Sequence, residues 1–275
     1  MEDFSEYNGP GTPLRKAQLL SVEILDEFDR VCKENGFTYW LDYGTLLGAI
    51  RHKGFVPWDD DIDVSMPLAD FERFKKIGGN KLKKGFFMQT DETDPDSDMG
   101  DGLFKIRKDG TIFINDFDDF RKNYHKGASI DVFADIPYPT ISKGLLSFFR
   151  KRISKAWGFF HYNPKLNFKN IISFFVFPLS FAFFYGLWKL ICLFKKKDRE
   201  FTPIYRLSYG YPTLQSEMLP TSEVVFEGKK YSAPQNPHSR LTNIYGNYMV
   251  IPPKEKQRIH AKFICVDTHE QYVNL

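Results

Sequence analysis

The sequence predicts a mixed α/β (α+β) domain, a sheet flanked by helices, that carries a helical hydrophobic insertion. Three observations lead there. A capped amphipathic segment opens at Thr12 and closes at Asn35-Gly36. Short apolar runs bounded by turn residues recur between residues 37 and 133. From about residue 141 to 200 the chain turns aromatic and basic, then returns to ordinary globular composition.

Thr12 is a suitable N-cap and Pro13 suits a first helical turn. Leu14, Ala17, Leu20, Ile24, Leu25, Phe28, Val31 and Cys32 form a one-sided apolar stripe, and Gly36 supplies the stop. Residues 37–41 read as a short buried strand, 42–44 as a turn and 45–52 as a short helix. The second half of 55–66 reads as a strand. Pro67 opens a helix with Leu68, Phe71, Phe74 and Ile77 on one face. Residues 86–90 form a strand, and 91–101 an acidic loop. Residues 103–107 and 111–115 read as a hairpin around Lys108-Asp109-Gly110, and 129–133 as a further strand.

A chain of 275 residues, 42% hydrophobic and 27% charged, is long enough to bury a real core. It is read as one domain over 1–275, with 141–200 inserted in it. The net charge of +3 is too small to imply nucleic-acid binding. Cys32, Cys192 and Cys265 are odd in number and widely spaced, which argues against a disulfide framework or a structural zinc site. The polar, acidic N-terminus does not read as a secretory signal. A cytoplasmic setting follows as the expectation.

The strongest chemical signal is Asp59-Asp60-Asp61-Ile62-Asp63. On a strand, Asp59, Asp61 and Asp63 share one face while Ile62 and Val64 point into the core. Aspartate is disfavoured in strands, and packed carboxylates raise one another's pKa. A bound divalent cation removes that cost, and oxygen-only ligands suit Mg²⁺, with Mn²⁺ as the alternative. The blander readings are a solvated acidic loop and a calcium loop. Val64 stands where a calcium loop needs Gly, and Asp70 where it needs Glu. Asp131, between Ile130 and Val132, is either bonded to backbone or a third metal ligand. Gly44-Thr45, at a turn before a helix, suits a phosphate or is an ordinary turn. Arg51, His52 and Lys53 offer charge for a pyrophosphate, or are simply solvated.

The run from Tyr39 to Val64, Tyr-Trp-Leu-Asp-Tyr-Gly-Thr-Leu-Leu-Gly-Ala-Ile-Arg-His-Lys-Gly-Phe-Val-Pro-Trp-Asp-Asp-Asp-Ile-Asp-Val, resembles the signature of the LicD/fukutin family. Blocks at 104–107, 130–133 and 245–249, then Pro252-Pro253 and His260, resemble family blocks in the same order. The resemblance covers most of the chain except the aromatic segment. It implies a nucleotidyltransferase-like fold and transfer of a phospho-alcohol, typically phosphocholine, from a CDP-activated alcohol donor to a glycan hydroxyl. It implies Asp61 and Asp63 as the metal-binding Asp-x-Asp, Asp131 as the third carboxylate, and Gly44-Thr45 as the phosphate-side pair. The spacing from Thr45 to Asp61 is longer than in many nucleotidyltransferases, and Ala134 stands where proline is expected. In that mechanism Asp131 or a metal-bound carboxylate accepts the proton, and Arg51, Lys105 and Arg107 face phosphate charge. Tyr245, Tyr248 and His260 are candidate wall residues. Nucleotidyl transfer from an NTP and a catalytically inactive glycan-binding relative are the alternatives.

Residues 171–188 carry no charge and are long enough for a membrane span. Pro178 and Gly186 are expected to interrupt it. The preceding basic-aromatic stretch, with Arg150, Lys151, Arg152 and Lys155, reads as an interfacial helix. The expectation is an insertion that lies on the inner leaflet or dips into it, peripheral to the cell membrane and beside a lipid-linked glycan. The alternative is a buried helical hairpin packed on the core.

Overall fold

A computed structural model describes residues 4–97, 99, 102–116, 118–119, 121–161, 168–201, 212–265 and 273–274. Parts of the N-terminus and of the acidic loop 91–101 discussed above lie outside them. The elements run α1 (Ser5–Asn8), α2 (Pro13–Asn35), β1 (Trp40–Leu41), α3 (Tyr43–Arg51), β2 (Asp63–Pro67), α4 (Leu68–Arg73), β3 (Phe86–Gln89), β4 (Leu103–Lys108), β5 (Ile112–Asn115) and β6 (Ser129–Pro139). Then come α5 (Lys143–His161), α6 (Phe168–Phe194), β7 (Lys197–Phe201), β8 (Thr213–Leu214), α7 (Gln215–Met218), β9 (Ser222–Phe226), β10 (Lys229–Ala233), α8 (Pro237–Tyr245), β11 (Ala261–Cys265) and β12 (Val273–Asn274).

The main sheet has the order β1-β2-β6-β4-β3, and β7 and β8 extend it beyond the far end of β6. Strands β2 and β6 run parallel, while β1, β3 and β4 pair antiparallel. This is the mixed α+β architecture the sequence predicts. Helix α2 behaves as read. Thr12 caps it by accepting from the Arg15 N–H, and Gly36 ends it in the left-handed region at φ 65°. Its stripe buries Ile24, Leu25, Phe28 and Val31 against the sheet. Phe28, Phe74 and Phe104 then form a contiguous aromatic stack below β4.

Several expectations change. The strand expected at 37–41 shortens to β1, because only Trp40 and Leu41 find partners on β2. Helix α3 begins earlier than expected, since Asp42 acts as its cap. On α4 and the π-helical turn Phe74–Gly78 that follows, Phe71 and Phe74 are buried, but Leu68 and Ile77 are exposed. The wider π turn rotates Ile77 off the α-helical face. Residues 103–107 and 111–115 do not form a hairpin. Both edges of β4 are already taken, by β3 and β6, so β5 pairs with β11 instead. Strand β2 begins only at Asp63, leaving 59–62 as a loop. Helix α6 runs unbroken through Pro178 and Gly186. A proline forfeits one backbone bond, and the helix continues past it.

The α5–α6 hairpin leaves the sheet after β6 and returns to it at β7. Leu146, Phe149 and Ile153 of α5 and Trp188 of α6 pack with Tyr138 of β6 and Tyr43 of α3. Among the described residues only this face is covered, so the hairpin is not the fully buried one of the alternative reading.

Candidate active site

The sheet topology brings the carboxylates together. In the parallel pair β2/β6, Asp63 lies in register with Asp131, and neighbouring strands are about 4.8 Å apart. Asp59 and Asp61 precede β2 on the loop. Together Asp59, Asp61, Asp63 and Asp131 line one cavity of about 680 Å³. The shared face expected of Asp59, Asp61 and Asp63 thus arises from a loop rather than from a strand. Ile62, fully buried, pins that loop to the core.

Asp63 is fixed through its backbone. Its N–H donates to Thr45 Oγ1 at 2.8 Å, and its carbonyl accepts from the Asp42 N–H at 3.0 Å. Thr45 is buried. Its hydroxyl therefore meets strand β2, whereas the resemblance assigned it to phosphate. Gly44 does line the cavity. A Cβ there would collide with Asp59 Oδ2, so only glycine lets this carboxylate lie against the α3 N-terminus. Tyr43 beside it takes a left-handed φ of 44°, a strain of the kind stored at functional sites.

The electrostatics are those of a crowded acidic centre. Burial, then the neighbouring Asp61 and Asp60, pushes the Asp59 carboxyl well above the usual range. Asp61 is pushed up to about 6 by desolvation and by Asp60 and Asp131. Asp63 is raised by burial and by Asp61, Asp131 and Asp59. Asp59, Asp60 and Asp61 each bring one carboxylate oxygen within 4.8 Å of the others. Asp60 also accepts from the Ala261 N–H, which ties the loop to β11. Asp131 receives Lys105 Nζ on both oxygens, at 2.6 and 2.8 Å. Four convergent carboxylates with oxygen donors alone, three of them held at a raised cost of ionisation, fit a hard divalent cation.

The remaining expected residues separate. Arg51 lines the main cavity, donating Nη1 to the Tyr248 carbonyl at 2.8 Å and Nε to His52 Nε2 at 2.8 Å. Burial and that guanidinium drive His52 down to about 4, so the imidazole is neutral. Lys105 and Arg107 line a smaller cavity of about 250 Å³ on the other side of Asp61 and Asp131. Arg107 is buried, and Gln89 Oε1 and the Gly127 carbonyl accept from it at 2.5 Å. Tyr245, Tyr248 and His260 all line the main cavity.

The sequence reading did not assign Trp58, Trp157, Lys256 and Arg258, which complete the cavity wall. It also missed the ion cluster behind it. Arg240 of α8, Asp42 and Asp135 of β6 are all fully buried. Arg240 donates Nε to Asp42 Oδ1 at 2.9 Å and Nη2 to Asp42 Oδ2, and Nη2 lies 3.4 Å from Asp135 Oδ2. Asp42 Oδ2 also accepts from Ser65 Oγ at 2.8 Å. The one available signal was Asp42 itself, a carboxylate between the apolar Leu41 and Tyr43.

Comparison with known proteins shows the family. Residues 36–191 match the family described as LicD/FKTN/FKRP, nucleotidyltransferase domain. The chain is 30% identical over 268 residues to the lipopolysaccharide cholinephosphotransferase LicD of Haemophilus influenzae, covering 90% of this chain and 95% of that protein. It is 41% identical over 79 residues to the ribitol 5-phosphate transferase FKRP of Mus musculus, covering 26% of this chain and 15% of that protein. The matched residues include α3, the loop 59–62, β2 and β6, which carry Gly44 and the four carboxylates, and the chain belongs to the LicD/FKTN/FKRP family.

Proposed function

We propose that this protein transfers a phospho-alcohol, phosphocholine or a similar group, from a CDP-activated donor to a hydroxyl of a cell-surface glycan or its lipid-linked precursor. The observation that carries the reading is the convergence of Asp59, Asp61, Asp63 and Asp131 on one cavity whose rim is basic and aromatic. The two relatives named above are phosphotransferases for different alcohols, which supports the reaction class rather than one alcohol.

Asp61, Asp63 and Asp131 are the residues that would hold Mg²⁺, or Mn²⁺ in its place, and Asp59 adjoins them. When bound, such a cation neutralises donor phosphate charge and lowers the pKa of an attacking hydroxyl. The chain's own groups do the rest. Arg51, Lys256 and Arg258 line the cavity and oppose the charge of a pyrophosphate. The acceptor oxygen attacks the phosphorus that bears the alcohol. The bond from that phosphorus to the bridging oxygen breaks, and CMP leaves with the electron pair. A cavity carboxylate, Asp131 in this reading, accepts the hydroxyl proton. Lys105, already paired with Asp131, holds that carboxylate in place. The reaction runs at the inner face of the cell membrane, where a lipid-linked acceptor is presented.

The test is product analysis with Mg²⁺, a cell-envelope glycan fraction and a panel of CDP-alcohols. CMP release together with incorporation of the alcohol into glycan is the expected outcome. Pyrophosphate release from CTP, with no CMP from any CDP-alcohol, supports nucleotidyl transfer instead. Glycan binding without turnover of any donor supports an inactive binding protein.

A further inference from the structure

Helix α6 is long and apolar enough to cross a membrane. Its most apolar 18-residue stretch, within Ile171–Phe194, has a mean hydropathy of 1.9 and is only 6% buried inside the protein. Its two faces differ. Phe181, Phe184, Tyr185, Trp188 and Ile191 pack toward α5 and β6. Ile172, Phe175, Leu179, Phe183, Leu190 and Phe194 recur at helical spacing on the other side and stand exposed, Leu179 at 74% and Phe194 at 83%. An exposed apolar stripe of this length marks an interaction surface.

The charge around that stripe is of one sign. The sequence has no Asp or Glu between Asp135 and Asp198, while Arg150, Lys151, Arg152 and Lys155 lie on α5 and Lys195, Lys196 and Lys197 follow α6. This combination fits an anionic lipid surface. A second copy of the same basic hairpin would be repelled.

The position of the cations decides how the hairpin meets lipid. The Arg152 guanidinium lies 3.6 Å from the Phe148 ring centroid and 5.2 Å from that of Phe184. Lys155 Nζ lies 5.7 Å from the Phe177 ring centroid. Phe177 and Phe184 are within about 6 Å of the midpoint of α6 along its axis. Were α6 to span a bilayer, α5 would carry Arg152 and Lys155 into the hydrocarbon, where such charges are costly and rare. With the hairpin lying in the plane of the interface, the same side chains reach headgroups while the stripe meets acyl chains.

We infer that the α5–α6 hairpin is an in-plane docking element for an anionic bilayer rather than a membrane span. Trp157 of α5 also lines the main cavity, so docking sets the cavity mouth beside the lipid surface. That last consequence rests on the function proposed above; the docking itself does not.

Vesicle flotation of the full chain tests it, with phosphatidylcholine alone or with one third phosphatidylglycerol. The expected result is flotation with the anionic vesicles, weakened by salt and fully reversed by alkaline carbonate. Leu179→Ser with Phe183→Ser abolishes it, and Arg150→Glu with Lys151→Glu weakens it at least ~tenfold. Unchanged far-ultraviolet circular dichroism and melting temperature exclude misfolding of these variants. Absence of flotation, carbonate-resistant insertion, or equal binding to both vesicles with no effect of the variants would overturn the inference. So would lipid-independent self-association, measured by light scattering, that Phe183→Ser abolishes. Since no donor is present, failure here leaves the proposed reaction standing.

Discussion

Asp63 is held by the two ends of its own peptide, through Thr45 Oγ1 and the Asp42 N–H. The side chain is therefore aimed by backbone bonds and, among the described residues, not by a hydrogen-bond partner of its own, which leaves the carboxylate available to a cation. Thr45→Val removes a buried acceptor and leaves the Asp63 N–H unsatisfied. It should cost about 1–3 kcal/mol in chemical denaturation, while Thr45→Ser stays near wild type. Asp61→Asn and Asp63→Asn make the opposite trade. Each removes a negative charge from a centre whose members raise one another's pKa. Turnover should fall roughly a thousandfold or more, as expected from losing several kcal/mol of charge stabilisation. The metal-free melting temperature at neutral pH should match or exceed wild type. A variant that melts lower and still turns over would contradict the role given to these carboxylates.

Elements carry the next level of order, and Arg240 joins three of them. It reaches Asp42, which caps α3, and Asp135, on β6, while Ser65 on β2 bonds the same Asp42. These are the elements that present Gly44, Asp131 and Asp63. Arg240→Met leaves two carboxylates buried without their cation, and should destabilise by about 3–5 kcal/mol in urea. Little of this was legible in the sequence. Arg240 and Asp42 are 198 residues apart, and no local pattern reports such a pairing. Helix α2 was legible from end to end, since Thr12, Pro13 and Gly36 act locally. The partner of β5 was not, because strand pairing is non-local and the turn at Lys108-Asp109-Gly110 looks like a hairpin whether or not β4 has a free edge. The carboxylate cluster was legible through its own chemistry, whereas the loop that delivers Asp59 and Asp61 reads the same as a strand by alternation alone.

At the scale of the whole molecule, the acidic cavity makes stability depend on pH. The Asp61 carboxyl, about 6 in the folded chain against 3.8 ordinarily, retains a proton that the unfolded chain has released. Its stabilising contribution is complete below the ordinary value and is lost as pH rises through about 6. Asp59 and Asp63 shift in the same direction. His52, held down to about 4, acts in the opposite sense over this window, but three raised carboxylates outweigh one lowered imidazole, so metal-free protein should melt progressively lower as pH rises from about 4 to 7. The gain in melting temperature on adding Mg²⁺ should grow over the same range, because the cation must displace the retained protons. Calorimetry across that range, with and without Mg²⁺, checks both trends.

Ligand-dependent thermal protection with Mg²⁺ present shows whether this cavity holds a CDP-activated alcohol on a carboxylate-bound cation. The panel is CDP-choline, CDP-ethanolamine, CDP-glycerol, CDP-ribitol, CTP and ATP, each also measured with Asp61→Asn. A ligand that binds the folded state raises its melting temperature by mass action, by about 2.7 kcal/mol of stability at a hundredfold excess over Kd. The expected result is protection by one CDP-alcohol above the rest, lost on removing Mg²⁺ and in Asp61→Asn. Protection by CTP or ATP with none from any CDP-alcohol, or protection unchanged in Asp61→Asn, would contradict it.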